Sequence, residues 1–149
     1  MSHNFKNFPE LTDKQMETLY WESPHKQITQ NFFAKIDRVI DGDTVQLSTD
    51  FRDFTFPMRF LGINAPEMSE GGQESKSWLE KQVGNEDVEI LINTKNRVDK
   101  FGRLLGEIFF MGQSINNASM RAGMSTTFAN RMEGKIPNVN QELNIKKWF

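Results

Sequence analysis

The chain has 149 residues, of which 26% are charged and 37% hydrophobic, and its net charge is −2. This size and composition predict one soluble globular domain with its own core. No apolar run approaches the ~18 residues of a membrane span, so we expect no membrane partner. The N-terminus lacks the apolar segment of a secretory signal, so we do not expect secretion through a signal peptide.

The chain has no cysteine, which excludes disulfides and thiolate metal sites. His3 and His25 are the two residues that can supply imidazole, and both lie far in sequence from the acidic motifs described below. A bound metal would therefore be held by oxygen, which favours a hard cation such as Ca²⁺ or Mg²⁺. The negative net charge counts against a freely diffusing nucleic-acid binder, although it allows a small basic site.

Residues 1–31 form an N-terminal arm with a short predicted helix. Thr12 and Gln15 have the spacing of a capping box, and Pro24 is expected to end the helix. The apolar residues of this helix share one face: Met16, Leu19 and Tyr20. Two interpretations stay open, because this face can pack on its own domain or dock on another protein.

From residue 32 onward the pattern is typical of strands. An Asp-Gly pair between two apolar segments is a strong signal for a β-hairpin. Pro57 lies inside the third predicted strand and indicates an edge or a bulge. The five predicted strands cover residues 33–40, 44–47, 54–63, 87–92 and 103–110.

Two further helices are predicted, over residues 73–83 and over residues 114–123, where Ser114 is the N-cap and Gly123 follows the last turn. Five strands with a helix between the third and fourth predict an α+β fold. We expect a five-stranded OB-type Greek-key β-barrel with short helices over residues 32–149, preceded by the N-terminal helical arm. Four apolar residues near the C-terminus are expected to close the core: Leu143, Ile145, Trp148 and Phe149.

The motif IDGDTV, residues 40–45, offers two carboxylates on a rigid hairpin. Asp41 and Asp43 flank a glycine and are suited to a hard cation. Taken alone, the motif is also what an ordinary turn requires, since Asp and Gly favour turns for backbone reasons.

The motif RFLGINAPE, residues 59–67, places Arg59 on a strand and Glu67 after a tight loop. Pro66 restricts Ala65 to an extended conformation, which can fix the direction of the Ala65 carbonyl. The alternative is a plain strand exit with surface charges.

The motif RVDKFGRLL, residues 97–105, combines Lys100 and Arg103 around a turn. A lysine and a planar guanidinium are a natural phosphate cradle. The alternative is a hairpin with solvated charges.

The three motifs, in this order and spacing, resemble the staphylococcal (thermonuclease) nuclease family over about residues 33–128. The resemblance implies a nuclease that cleaves DNA or RNA to a 3′-phosphate product, with DNA the expected substrate. It implies metal ligands at Asp43, at Asn64 and at the Ala65 carbonyl, with Asp41 close by. It implies catalytic roles for Arg59 and Arg103, which grip the scissile phosphate, and for Glu67, which activates or orients water. It also implies substrate contacts at Lys100 and Phe101, where Phe101 replaces a tyrosine.

Asn64 departs from the family pattern, because it stands where the family has a second metal-binding aspartate. An amide oxygen can still bind Ca²⁺ or Mg²⁺, but one negative charge is lost. We therefore expect a weakened or retuned metal site. The segment after Glu67 is short and acidic, and residues 126–134 lack the nucleotide-stacking tyrosine pair. The long final helix of the family is expected to be missing or shortened.

An acidic nuclease with an aromatic arm suits an assembly that brings DNA to it. The layout resembles the head-completion nuclease of tailed bacteriophages, a virion component, with residues 1–31 contacting portal or neck proteins. The expected location is the virion or the host cytoplasm. Two alternatives stay open: a catalytically weak or silent OB module with a structural or DNA-binding role, and a cytosolic nuclease of a plasmid or prophage.

Overall fold

The computed structural model describes residues 3–127 of the chain. Its elements follow the predicted order, with three short strands in addition. The helices are α1 (Asp13–Leu19), α2 (Gly72–Val83) and α3 (Ile115–Arg121). The strands are β1 (Phe32–Asp41), β2 (Thr44–Ser48), β3 (Phe56–Phe60), β4 (Ile63–Asn64), β5 (Asp87–Leu91), β6 (Leu104–Phe110), β7 (Gln113–Ser114) and β8 (Thr126–Thr127).

Five of these strands close into a barrel. The sheet runs in the order β3-β2-β1-β5-β6-β7, and a parallel pairing between β3 and β6 joins its ends. Closure removes the exposed sheet edges that an open sheet of this size would leave. The predicted α+β fold with a five-stranded OB-type barrel is therefore confirmed.

The barrel core is made by the alternating inward residues of its strands, together with one face of α2. Ser75, Leu79 and Val83 of that helix are buried, and their spacing of four residues places them on one face. Pro57 lies at the start of β3, one residue before the pairing with β6 begins at Met58. The missing N–H of this proline therefore falls outside the parallel ladder.

The caps of the two short helices are formed as predicted. The Thr12 side chain accepts from the Gln15 N–H, and the Gln15 side chain accepts from the Thr12 N–H. Ser114 caps α3 by accepting from the Asn117 N–H. The first α-helix ends at Leu19 and is followed by one 3₁₀ turn over Tyr20–Glu22. The helical segment therefore ends before Pro24.

The N-terminal arm is attached to the barrel beside its helix, and the helix itself has no buried residue. Leu11 and Ile28 are buried against the barrel. Glu10 forms ion pairs with two buried arginines of the barrel domain, Arg52 and Arg97. Arg97 also donates to the Ile28 and Leu11 carbonyls at 2.8 and 3.0 Å.

The apolar side chains of the arm helix are far less buried than these anchors. Tyr20 is 47% exposed and Trp21 is 87% exposed.

Within residues 3–127, none of the helices has the length and apolar character that a bilayer crossing requires. The residues expected to close the core near the C-terminus, from Leu143 to Phe149, lie outside the described range, as does most of the 126–134 segment.

Candidate active site

The turn between β1 and β2 brings two carboxylates together. Asp41 ends β1, and its Oδ1 accepts from the Asp43 N–H at 3.1 Å. Asp43 Oδ1 accepts from the Thr44 hydroxyl at 3.0 Å, and Asp43 is only 9% exposed. The hairpin therefore holds the Asp43 carboxylate in one orientation while a side-chain hydroxyl stabilises its charge.

The loop after β3 closes onto this carboxylate. The Ala65 N–H donates to Asp43 Oδ2 at 2.8 Å, and the Arg59 guanidinium lies 3.4 Å from the same oxygen. These two contacts join the first and second motifs of the sequence into one group.

Arg59 is fixed by several acceptors. Its Nη1 donates to the Phe60 and Ile63 carbonyls at 3.0 and 2.9 Å, and its Nη2 donates to the Asn64 Oδ1. Because these acceptors come from backbone and side chain on one tight loop, the guanidinium is pre-positioned and loses little freedom on binding an anion.

The pKa values of the two aspartates shift in opposite directions. Burial raises the pKa of Asp41 to about 6, with further contributions from its hydrogen bond to Asp43 and from the Asp43 charge. Burial alone would also raise the pKa of Asp43. Hydrogen bonds from Asp41 and from the Ala65 N–H, together with the Arg59 charge, outweigh it and hold that pKa below its ordinary value. Asp43 therefore loses its proton at a lower pH than Asp41 does.

The oxygen atoms of this group suit a hard cation, with one weak point at Asn64. Two carboxylates, an amide oxygen and the Ala65 carbonyl are the donor types that Ca²⁺ and Mg²⁺ take. Within residues 3–127, no three acidic or histidine side chains converge as a ligand cluster. The Asn64 Oδ1 is engaged by Arg59, and its buried Nδ2 meets no hydrogen-bond partner in the described part of the chain. An aspartate would place a second oxygen where this unpartnered donor lies, so the residues fit a cation with reduced affinity.

Glycine at position 42 allows the acidic turn to pack closely on the rest of the site. A Cβ at Gly42 would lie 2.0 Å from the Ser75 Oγ and 2.7 Å from the Ala65 Cβ. Ser75 in turn donates to the Met124 carbonyl at 2.8 Å. The sequence predicts a turn at Gly42 and a helix that includes Ser75, but it does not predict their contact, because nothing local in either segment specifies it.

Glu67 lies at the junction between this loop and α2. Its carbonyl accepts from the Gly72 N–H at 2.9 Å, and a Cβ at Gly72 would lie 2.7 Å from that carbonyl. The Glu67 side chain is exposed. The start of α2 therefore fixes the backbone of Glu67, which lies two residues after Ala65.

The third motif forms a second group on the neighbouring strand. The Asp99 side chain accepts from the Arg103 backbone N–H and from its Nε, both at 2.9 Å. The Arg103 guanidinium carbon and the Lys100 Nζ lie 5.4 and 5.3 Å from the centre of the Phe101 ring.

Strand register relates the two groups. Arg59 is the partner of Leu105 in the parallel β3–β6 ladder. Arg103 lies directly before β6, two positions from Leu105, so the third motif adjoins the strand that pairs with the strand of Arg59. The structure thus links Asp41, Asp43, Arg59, Asn64 and Ala65 by direct contacts. The roles of these five residues stay predictions, as do the roles of Glu67, Lys100, Phe101 and Arg103.

Comparison with known proteins identifies a family and several relatives. A family profile described as Staphylococcal nuclease homologue matches residues 57–145. Endonuclease YncB of Bacillus subtilis is 25% identical over 111 residues, which are 69% of this chain and 52% of YncB. The SPbeta prophage-derived endonuclease YokF of the same organism is 25% identical over 97 residues, 60% of this chain and 32% of YokF.

A third relative is an uncharacterized protein of Bacillus anthracis. It is 27% identical over 97 residues, which are 60% of this chain and 44% of that protein. The matched part therefore spans between about one third and one half of the length of these relatives.

Proposed function

The chain belongs to the staphylococcal nuclease family, and on that premise we propose that it is a divalent-metal-dependent nuclease acting on DNA. The proposal is supported mainly by one observation: Asp43 accepts from the Ala65 N–H and pairs with Arg59, so that an ionised carboxylate, an arginine and a carbonyl-bearing loop meet at one point. The names of the two relatives, both endonucleases, add support.

In this proposal Glu67, Arg59 and Arg103 have separate roles in hydrolysis of the phosphodiester. Glu67 accepts a proton from the attacking water, which forms a new bond to phosphorus as the bond to the 5′ oxygen breaks. The departing 5′ oxygen takes up a proton from solvent water. The products are a 3′-phosphate and a 5′-hydroxyl. Arg59 and Arg103 stabilise the charge that develops on the phosphate oxygens, which is usually the largest catalytic term.

Three oxygen donors would hold the cation, from Asp43, Asn64 and the Ala65 carbonyl, and Asp41 lies close by without binding it. When bound, Ca²⁺ or Mg²⁺ supplies Lewis-acid polarisation of a phosphate oxygen. With asparagine at position 64, the site needs a higher metal concentration than a site with aspartate there.

The experiment is cleavage of a supercoiled plasmid by the purified full chain, with Ca²⁺, Mg²⁺, Mn²⁺ or chelator. Metal-dependent nicking that chelator abolishes supports the proposal, and Glu70→Gln, an exposed acid near Glu67, should leave it intact. Absence of nicking with every metal would favour the other candidate, a catalytically silent OB module in an assembly.

A role in a phage particle is the narrower form of the proposal. The exposed Tyr20 and Trp21 of the arm offer an aromatic surface for a protein contact, and one relative is named as prophage-derived. The partner would be a portal or neck protein, and the location the virion or the host cytoplasm. Loss of co-purification with virions in the double variant Tyr20→Ser/Trp21→Ser, with nuclease activity retained, tests this role.

A further inference from the structure

We propose that Phe8 of the N-terminal arm and Phe101 form a base-stacking subsite for single-stranded nucleic acid. The proposal rests on the nuclease function proposed above and extends it to a part of the chain outside the family match, which begins at residue 57. The subsite takes an unpaired base of the strand that passes the Lys100 side of the active site.

The arm reaches the turn of the third motif through one contact. Gly102 has a positive φ of +82°, and a Cβ there would lie 2.8 Å from the Phe8 Cδ1. Phe8 therefore lies directly against the backbone of the turn, next in sequence to Phe101. This contact needs a glycine at 102 both for its φ and for the space.

Both rings keep free surface. Phe8 is 43% exposed and Phe101 is 60% exposed. Large aromatic side chains are normally buried when packing is their only role. Exposed rings beside cations are instead the arrangement that binds unstacked bases, because every base has a π-face.

The charges around the two rings suit a phosphate backbone. Lys100 and Arg103 lie 5.3 and 5.4 Å from the Phe101 ring. Lys6, two positions before Phe8, is also exposed. Asp99 is the acidic residue of the turn, and its carboxylate is engaged by Arg103.

The backbone of the arm near Phe8 is held in place. The His3 ring nitrogen lies 2.7 Å from the Phe8 carbonyl, and the next two residues, Pro9 and Glu10, are buried. A pre-positioned ring loses little freedom when it stacks on a base, which favours affinity. The arm is thereby part of the substrate surface of this chain.

The test compares Phe8→Leu, which keeps an apolar side chain on Gly102 but removes the ring, with Phe8→Tyr, which keeps the ring. Affinity for fluorescein-labelled oligothymidylate is measured by anisotropy in chelator, at about 50 mM salt. A short and a long strand are used, of about 3 and about 12 nucleotides. Phe33→Leu is the matched control, since Phe33 is 75% exposed on β1, where its cross-strand partner is the acidic residue Glu89.

We expect Phe8→Leu to weaken binding of the long strand about fivefold or more, as loss of one stacked base does. Phe8→Tyr and Phe33→Leu should bind like the wild type, and all four proteins should have the same melting temperature. Wild-type affinity in Phe8→Leu overturns the subsite, while unchanged plasmid cleavage in that variant would leave the nuclease proposal standing. No binding and no cleavage by the wild type would overturn both.

Discussion

The Ala65 N–H donates a 2.8 Å hydrogen bond to Asp43 Oδ2 and thereby joins two loops that are 22 positions apart in the sequence. The bond ties the acidic hairpin to the loop that carries Glu67, and Gly42 lets the two surfaces approach. The geometry of the site thus depends on contacts between segments as well as on the reactive side chains themselves.

Gly42→Ala should damage the site through packing. The added Cβ meets Ser75 and Ala65 at distances far inside van der Waals contact, and overpacking of this kind costs about 1–3 kcal/mol. We expect a lower urea midpoint and a smaller rise in melting temperature when Ca²⁺ is added. The control is Gly112→Ala, which meets nothing within 4 Å although its φ is +82°. A Ca²⁺ response in Gly42→Ala equal to that of the control would contradict this role.

The stability of the metal-free protein should depend on the charge of Asp41. Burial raises the pKa of Asp41 to about 6, whereas in an unfolded chain it is near ~3.9. The folded state therefore binds a proton more tightly, and the contribution of Asp41 to stability falls as the pH rises from about 4 to about 6. Asp41→Asn has no charge to bury, and its amide oxygen can still accept from Asp43.

In chelator, Asp41→Asn should therefore be more stable than the wild type at pH 7, with a gap that closes towards pH 4. Urea denaturation at both pH values checks this expectation. Equal gaps at the two pH values would show that the charge of Asp41 is not the cause.

Glu10 should be essential for folding, although it lies in the arm. It pairs with Arg52 and Arg97, and all three are buried. Glu10→Ala leaves the buried Arg52 without its carboxylate and leaves Arg97 paired with the exposed Asp13, a loss of about 3–5 kcal/mol. Glu22→Ala, an exposed acid of the same arm, should change stability by less than about 0.5 kcal/mol. Urea denaturation of both variants measures the two losses of stability. Similar urea midpoints in the two variants would mean that the arm adds little to the stability of the fold.

Glu67→Gln and Arg103→Ala should suppress turnover without unfolding the protein. Loss of a group that stabilises the transition state lowers kcat by roughly a hundredfold, and neither effect should be recovered at high metal concentration. The matched controls are Glu70→Gln and Arg121→Ala, both exposed. Initial rates of plasmid nicking, with melting temperatures for all four variants, provide the test. A tenfold or smaller loss in either variant would remove that residue from the mechanism.

Much of this fold can be predicted from the sequence because its signals are local. Asp-Gly marks the first hairpin, the Thr12–Gln15 box marks the first helix, and alternation marks the barrel strands. The parts that could not be predicted depend on contacts distant in sequence. The pairing of β4 with β8 involves two residues on each side, which is too short for a periodic pattern.

The same reason explains what was missed around the site. Glu10 has the local sequence of a surface residue. Its burial depends on Arg97, which is far from it in the sequence. The contact between Phe8 and Gly102 likewise depends on the folded structure, because the two residues are distant in the sequence. The local motifs predicted the acidic hairpin and the position of Arg59 on a strand. The burial of Asn64 Nδ2, without a hydrogen-bond partner in the described part of the chain, follows only from the assembled site.

The most direct test of a metal site weakened at Asn64 is a metal titration of oligonucleotide cleavage by the wild type and by Asn64→Asp. The aspartate restores one negative charge and replaces the buried Nδ2, which has no hydrogen-bond partner within residues 3–127, with an oxygen. We predict that both proteins cleave at saturating Ca²⁺ or Mg²⁺ and that Asn64→Asp needs about tenfold less metal for half-maximal rate, or about 1.4 kcal/mol in affinity. The same half-maximal concentration in both, or no cleavage by either at any concentration, would contradict the account.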